Sequence, residues 1–174
     1  MVFLELVYLT LLAVGLAILL GHPLILFVMH SYAKKGVKKQ FLTPSVSIII
    51  PTYNEGLVIG DKILNTFDLD YPRDKMEVTV VDSGSTDSTR DAVLDFSSVR
   101  LIVERERRGE ASAVNLAMGA TTGEIVVLTD ADAFLDEQSL SHLVANFADP
   151  SVGLVTGRKL VMSPPSSNRK LGEA

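Results

Sequence analysis

The chain contains no cysteine, which excludes disulfides, thiolate zinc sites and cysteine nucleophiles and leaves the redox compartment open. Any metal it binds is therefore held mainly by oxygen ligands. Positive charge is scarce as well: 16 Lys and Arg stand against 21 Asp and Glu, a net charge of -5. No long basic run occurs away from the first apolar segment, so the clustered positive footprint of a nucleic-acid-binding domain is missing. There is no internal repeat. No Gly-x-Gly-x-x-Gly follows the first predicted strand, which argues against a dinucleotide-binding dehydrogenase. With 174 residues, the chain has room for about one ordinary domain.

What is abundant is hydrophobicity, at 47% of residues with a mean hydropathy of +0.30, and much of the excess lies in the first thirty residues. Leu6 to Leu20 is almost uniformly apolar, and after Gly21-His22-Pro23 the run resumes from Leu24 to Met29. About 20 apolar residues cross a hydrocarbon core of roughly 30 Å, and a proline kink is tolerated there. The pattern predicts one transmembrane helix, with His22 near a helix break or packed against another helix. A buried helix of a soluble protein is the plainer alternative. The start Met-Val-Phe-Leu-Glu lacks a positive flank and no small-residue cleavage site follows, so the segment reads as an uncleaved anchor. Lys34, Lys35, Lys38 and Lys39 follow it, whereas Glu5 is the one charged side chain before it. The positive-inside bias then predicts a single-pass membrane protein with a cytoplasmic globular domain, and the lysines suit contact with anionic lipid headgroups. Residues 1–40 are thus expected as the helix and its basic linker, and 41–174 as the globular domain.

Beyond the linker, strands and helices are expected to alternate. Val46 to Ile50 is a β-branched run, Leu57 to Phe67 repeats apolar residues at helical spacing, and Glu77 to Val81 is a second strand. Thr86 or Asp87 can cap a helix carrying Ala92, Val93 and Phe96 on one side. Further strands are expected at Val99 to Val103, Glu124 to Leu128 and Val152 to Val155, and helices from Gly109 to Met118 and from Gln138 to Phe147. The tail from Ser163 to Ala174 reads as irregular. Such alternation predicts an α/β fold, an open and mainly parallel sheet with helices on both faces.

In such sheets ligands bind outside the carboxyl ends of the strands. Three polar loops fall there: Pro51-Thr52-Tyr53-Asn54-Glu55, Asp82-Ser83-Gly84-Ser85-Thr86-Asp87 and Asp130-Ala131-Asp132. Crowded carboxylates repel, and a bound cation or ligand donors relieve the repulsion. Mg²⁺ or Mn²⁺ suits such oxygens and commonly shares its coordination between carboxylates and substrate phosphates. Each piece also has a local reading. Asp82 and Asp87 can serve a turn and a cap, Tyr53 can pack at a strand end, and Glu55 can sit favourably at a helix start.

The order of the pieces carries more weight. VSIIIPTYNE at Val46 to Glu55, VTVVDSGSTDST at Val78 to Thr89, RRGEASAVNLAM at Arg107 to Met118 and EIVVLTDADAF at Glu124 to Phe134 together resemble the family 2 glycosyltransferases. The resemblance implies an A-type glycosyltransferase fold with a Rossmann-like nucleotide-binding half. It also implies an inverting enzyme of polysaccharide or glycolipid biosynthesis, using a nucleotide-sugar donor, most often a UDP-sugar, with a divalent cation, Mg²⁺ or Mn²⁺. By position, Thr52, Tyr53 and Glu55 would line the base and ribose pocket and Asp82 would accept a hydrogen bond from the base. Asp132 would be the metal ligand, with Asp130 touching ribose or metal. A metal there would stabilise the departing diphosphate.

This chain departs from the pattern in two ways. Glu110 stands where the family usually has lysine, with Arg107 and Arg108 beside it as candidate phosphate contacts. The acidic general base and the Gln-x-x-Arg-Trp segment expected beyond the Asp-x-Asp region are not found, there being no tryptophan, so the catalytic base is unknown. Glu110 and Asp136 would be arbitrary choices. The acceptor-binding half is expected to be missing from this chain or supplied by a partner chain. The alternative is a truncated, catalytically silent membrane-anchored nucleotide-binding or scaffold module. A phosphatase built on Asp-x-Asp would carry that motif after its first strand rather than its fourth.

Overall fold

Helix α1 (Val2–Tyr32) runs without a break through Pro23. The computed structural model describes residues 2–32 and 36–160, and the chain divides into two units, Met1–Val37 and Lys38–Ala174. Within α1 the hydroxyls of Thr10 and Ser31 donate to the carbonyls of Leu6 and Phe27, one turn earlier, so these two hydroxyls are satisfied by the helix itself. Apolar side chains occupy all sides of the helix, the distribution of a segment surrounded by apolar material rather than one lying half in water. Its stretch Val2–Met29 is long and apolar enough to cross a membrane. The helix break expected near His22 does not occur.

The second unit is built on four parallel strands, β1 (Val46–Thr52), β2 (Met76–Asp82), β3 (Val99–Val103) and β4 (Ile125–Leu128), in the order β3-β2-β1-β4. Val46 pairs with Met76 on one side and Ile125 on the other, and Thr52 with Asp82. The carboxyl ends of β1 and β2 therefore finish level. Helices α2 (Ile59–Phe67), α3 (Thr89–Leu94), α4 (Glu110–Met118) and α5 (Ser139–Val144) connect and cover the strands.

Alternation along the strands divides the core in two. Ile48, Ile50, Val78 and Val80 point to one face, where Ile59 and Ile63 of α2, Val93 of α3 and Leu140 and Val144 of α5 pack on them. Ile49 and Val81 point to the other, against Ala113 and Ala117 of α4. Small residues on α4 let that helix approach the sheet closely. Each fully buried Ile or Val contributes about 1.5–3 kcal/mol relative to exposure, so strands buried on both faces read as unbroken apolar runs.

Several element boundaries differ from expectation. Residues 152–155 form no strand, because the Val152 N–H is taken by the Asp149 carbonyl in a turn. Helix α5 ends at Val144 and tightens into a 3₁₀ turn over Ala145–Ala148. Helix α2 begins at Ile59 rather than Leu57, since the N–H groups of Val58 and Ile59 both turn back to the Glu55 carbonyl. Before β4, a side chain at Gly123 would lie 2.6 Å from the Ser47 backbone nitrogen, so only glycine fits there.

Candidate functional site

The loops after β1 and β2 are stitched together before they can bind anything. Asn54 adopts a left-handed backbone, φ 57°, which Asn tolerates better than most residues. Its N–H donates to Ser85 Oγ (2.8 Å), and its side-chain oxygen accepts from the Thr86 N–H (2.9 Å). The Glu55 N–H donates to Thr89 Oγ1 (2.9 Å) and the Gly56 N–H to Asp87 Oδ2 (3.0 Å). Asp87 also accepts the Thr89 N–H at 3.0 Å, but the N-cap position of α3 is Ser88 rather than Thr86 or Asp87, because the helix starts at Thr89. Hydrogen bonds from the Thr89 hydroxyl, with those from Gly56 and Thr89 N–H, hold the Asp87 carboxyl below the usual range.

Asp82, expected to accept a hydrogen bond from the base, is held from within the chain. Its side chain is fully buried, with Arg90 Nε at 2.5 Å from Oδ2 and the Ser85 N–H at 3.1 Å from Oδ1. Both oxygens are occupied inside the chain, and the residue lies outside the cleft lining. Behind the next loop, buried Glu104 accepts from Ser83 Oγ (2.8 Å) and Ser112 Oγ (2.7 Å). It thereby ties the end of β2 to α4.

These braces leave an open cleft of ≈ 210 Å³ at the carboxyl edge of the sheet. Thr52, Tyr53 and Glu55 line it from β1, Ser83 from β2, Arg107, Gly109 and Glu110 from the approach to α4, and Asp130, Ala131 and Asp132 from the end of β4. All three motif loops thus converge. The Arg107 guanidinium lies 4.1 Å from the centre of the Tyr53 ring, a cation–π contact. Of the two candidate phosphate contacts, Arg107 reaches the cleft, whereas Arg108 is exposed outside its lining. Glu110 opens α4, where the helix dipole favours an anion. Asp136 is not in the lining; its carboxylate accepts the Gln138 N–H at 3.1 Å.

Asp130 and Asp132 are exposed on either side of buried Ala131. Asp130 pairs with exposed Lys159 at 3.2 Å, a contact that water screens. Asp132 has no hydrogen-bonding or ionic partner among the described residues. Two carboxylates with open oxygens fit Mg²⁺ or Mn²⁺, which take one or two protein carboxylates and draw remaining ligands from phosphates and water. No group of three or more His, Asp or Glu gathers among the described residues, so a cation held here has coordination positions left for a substrate.

Sequence reasoning missed Lys62. The buried stripe of α2 is Ile59, Lys62, Ile63 and Thr66, the i, i+3, i+4, i+7 face of an amphipathic helix. A lysine in that stripe was the available signal. Its Nζ donates to Thr129 Oγ1 (2.9 Å) and to the Ala133 carbonyl. Burial lowers its pKa to about 8, against the opposing pull of Asp130 and Asp132.

Residues 47–173 match the model of glycosyl transferase family 2. A beta-monoglucosyldiacylglycerol synthase from Nostoc sp. is 32% identical over 155 residues, 84% of this chain and 33% of that protein. The mannosyltransferase PcManGT from Pyrobaculum calidifontis, solved with GDP-Man and Mn²⁺, superposes with a TM-score of 0.70 at 42% identity, over 79% of this chain and 43% of that one. TarS from S. aureus, solved with UDP-GlcNAc, gives a TM-score of 0.56 at 27% identity, over 68% and 37%. The chain spans about a third of the length of the curated relatives it matches.

Proposed function

The chain belongs to glycosyl transferase family 2, and on that premise we propose that it carries the donor-binding half of an inverting, divalent-metal-dependent glycosyltransferase anchored to a membrane by α1. The observation that carries this reading is the convergence of Thr52, Tyr53 and Glu55 with Asp130 and Asp132 around one cleft at the carboxyl edge of a parallel sheet. That edge is where such sheets bind ligands. The donor is a nucleoside-diphosphate sugar, the ligand class of PcManGT and TarS.

In this reading Tyr53 and Arg107 offer the flat surfaces against which a base stacks, and Thr52 and Glu55 face the ribose. Asp132, with Asp130, would hold Mg²⁺ or Mn²⁺. Bound there, the cation supplies Lewis-acid stabilisation of the charge that grows on the departing nucleoside diphosphate. An acceptor hydroxyl attacks the anomeric carbon from the face opposite the diphosphate, the bond to the diphosphate oxygen breaks with its electron pair, and the anomeric configuration inverts. The hydroxyl proton passes to a base, and no residue of the three loops is assigned to that role. The acceptor site belongs to chain outside this cleft or to a partner chain. The positive-inside bias of Lys34, Lys35, Lys38 and Lys39 supports a cytoplasmic cleft.

Titration calorimetry with UDP-GlcNAc and GDP-mannose, with Mn²⁺ and with EDTA, tests the reading. Mn²⁺-dependent binding lost in Asp132→Ala is expected; no binding at millimolar ligand under either condition overturns it. One observation favours a second reading, a nucleotide-binding module without turnover: Glu110 puts an anion in the cleft lining. Metal-dependent release of nucleoside diphosphate coupled to glycoside formation excludes that module.

A further inference from the structure

A fully buried ammonium without a carboxylate partner is a costly thing for a small α/β unit to keep. Lys62 is such a group: none of its side chain reaches solvent, and neither partner of Nζ is an ion. Those partners are Thr129 Oγ1, at 2.9 Å, and the main-chain oxygen of Ala133. Thr129 is the residue before Asp130, and Ala133 the residue after Asp132. One nitrogen on α2 therefore grips both ends of the five-residue segment that carries the Asp-x-Asp pair.

Between those ends the segment is held by Ala131, buried in the core, and by the exposed Lys159–Asp130 pair at 3.2 Å. Its backbone contacts are the Thr129 N–H to the Ile49 carbonyl at 3.2 Å, where β4 ends, and a long turn contact from the Ala133 N–H to the Asp130 carbonyl at 3.3 Å. Neither carboxylate is fixed from the core side. The two negative charges also repel each other, and a positive charge behind them opposes that repulsion before any cation arrives.

We infer that Lys62 is a positioning residue for the Asp-x-Asp segment: its ammonium ties Thr129 to Ala133 from the core side and sets the loop shape in which Asp130 and Asp132 face the cleft together. The lysine touches neither donor nor metal. It acts through the loop, so its loss leaves the Tyr53 side of the cleft intact and spoils the cation side. The first consequence, a rigid loop, stands on the contacts alone. The second, cation-dependent donor affinity, rests on the proposed function.

The test uses the full-length chain in detergent micelles. Lys62→Met keeps the length and apolar stem of the side chain and removes its charge and both hydrogen bonds; Thr129→Val removes one acceptor without changing shape. Hydrogen exchange in the absence of ligand is expected to be faster across residues 129–133 by about tenfold or more in Lys62→Met and by less in Thr129→Val, with β1 and β2 unchanged. The melting temperature of Lys62→Met stays at or above that of the parent chain. The Mn²⁺-dependent part of UDP-GlcNAc or GDP-mannose affinity falls about 10–100-fold, as for groups that orient metal ligands, while affinity in EDTA is unaltered. Unchanged exchange of residues 129–133 in both variants overturns the assignment. So does uniformly faster exchange with a lowered melting temperature in both, which marks a merely structural role. If the loop loosens while the parent chain shows no Mn²⁺-dependent binding, the donor reading fails and the positioning role stands.

Discussion

Asp82 and Asp132 both follow a strand of the same parallel sheet, both belong to conspicuous acidic motifs, and they meet opposite fates. Asp82 is fully buried with both oxygens taken, by Arg90 and by the Ser85 N–H. Asp132 lines the cleft, and its oxygens have no hydrogen-bonding or ionic partner among the described residues. The difference lies in the neighbours. β2 is an inner strand, flanked by β1 and β3, and its loop runs into α3, which brings Arg90. β4 is an edge strand, and its loop faces open space on one side. A carboxylate enclosed on all sides needs internal partners; one at an edge can keep its lone pairs for a ligand.

The largest expected effect is on ligand binding without loss of stability. Asp132→Ala should weaken Mn²⁺-dependent nucleotide-sugar binding by at least about 100-fold, a stronger effect than changes to residues that only orient a metal ligand have, while its urea midpoint stays at or above that of the parent chain because a like-charge contact with Asp130 is relieved. Equal binding by the two proteins would break the contrast. Asp82→Ala should do the reverse. It strands the buried Ser85 N–H and frees Arg90, which costs about 1–3 kcal/mol of folding free energy, read by urea titration. Donor affinity measured where the variant is folded should change little, and a selective change between UDP and GDP donors would return Asp82 to base recognition.

Lys62 sharpens the same contrast through pH. Its folded pKa is about 8 against an ordinary 10.5, chiefly because burial disfavours the charged form. Between those values the unfolded chain carries more of this proton than the native one, so unfolding free energy rises with pH across that window. The rise is on the order of 1–3 kcal/mol and should be absent in Lys62→Met, the difference between the two proteins cancelling tyrosine ionisation. Glu77 gives the smallest effect. At the amino edge of β2, burial would raise its pKa, but hydrogen bonds from Ser47, Thr122 and Gly123 outweigh that and leave it below 4.5. Because the folded pKa is depressed, its contribution is complete above about pH 4.5 and fades as pH falls through the lower folded value. Glu77→Gln should flatten that acid limb by a few tenths of a kcal/mol, as suits a largely solvated carboxylate.

Much of the fold was legible because β1 and β2 are short β-branched runs and α2 and α3 follow them with apolar residues at helical spacing. The residues of the cleft were legible because ligands of parallel sheets gather at strand ends, which directs attention to Thr52, Tyr53, Glu55, Asp130 and Asp132. Residues 152–155 misled because an apolar run of that length reads as a strand whether or not a neighbour offers a ladder. Arg107 and Arg108 could not be separated by position in the chain: the turn before Gly109, with φ 91°, decides which guanidinium lies over Tyr53.

Local pattern, then, determined what depends on the chain near itself: an apolar helix at the amino terminus, alternating strands and helices, and acidic loops at strand ends. Tertiary structure decided what depends on residues far apart in the chain. Arg90 of α3 pairs with Asp82 at the end of β2, and Lys62 reaches the Asp-x-Asp segment across 67 residues. The physical reason is that a charged side chain's role is set by whatever compensates its desolvation, and that partner is chosen by packing rather than by sequence proximity.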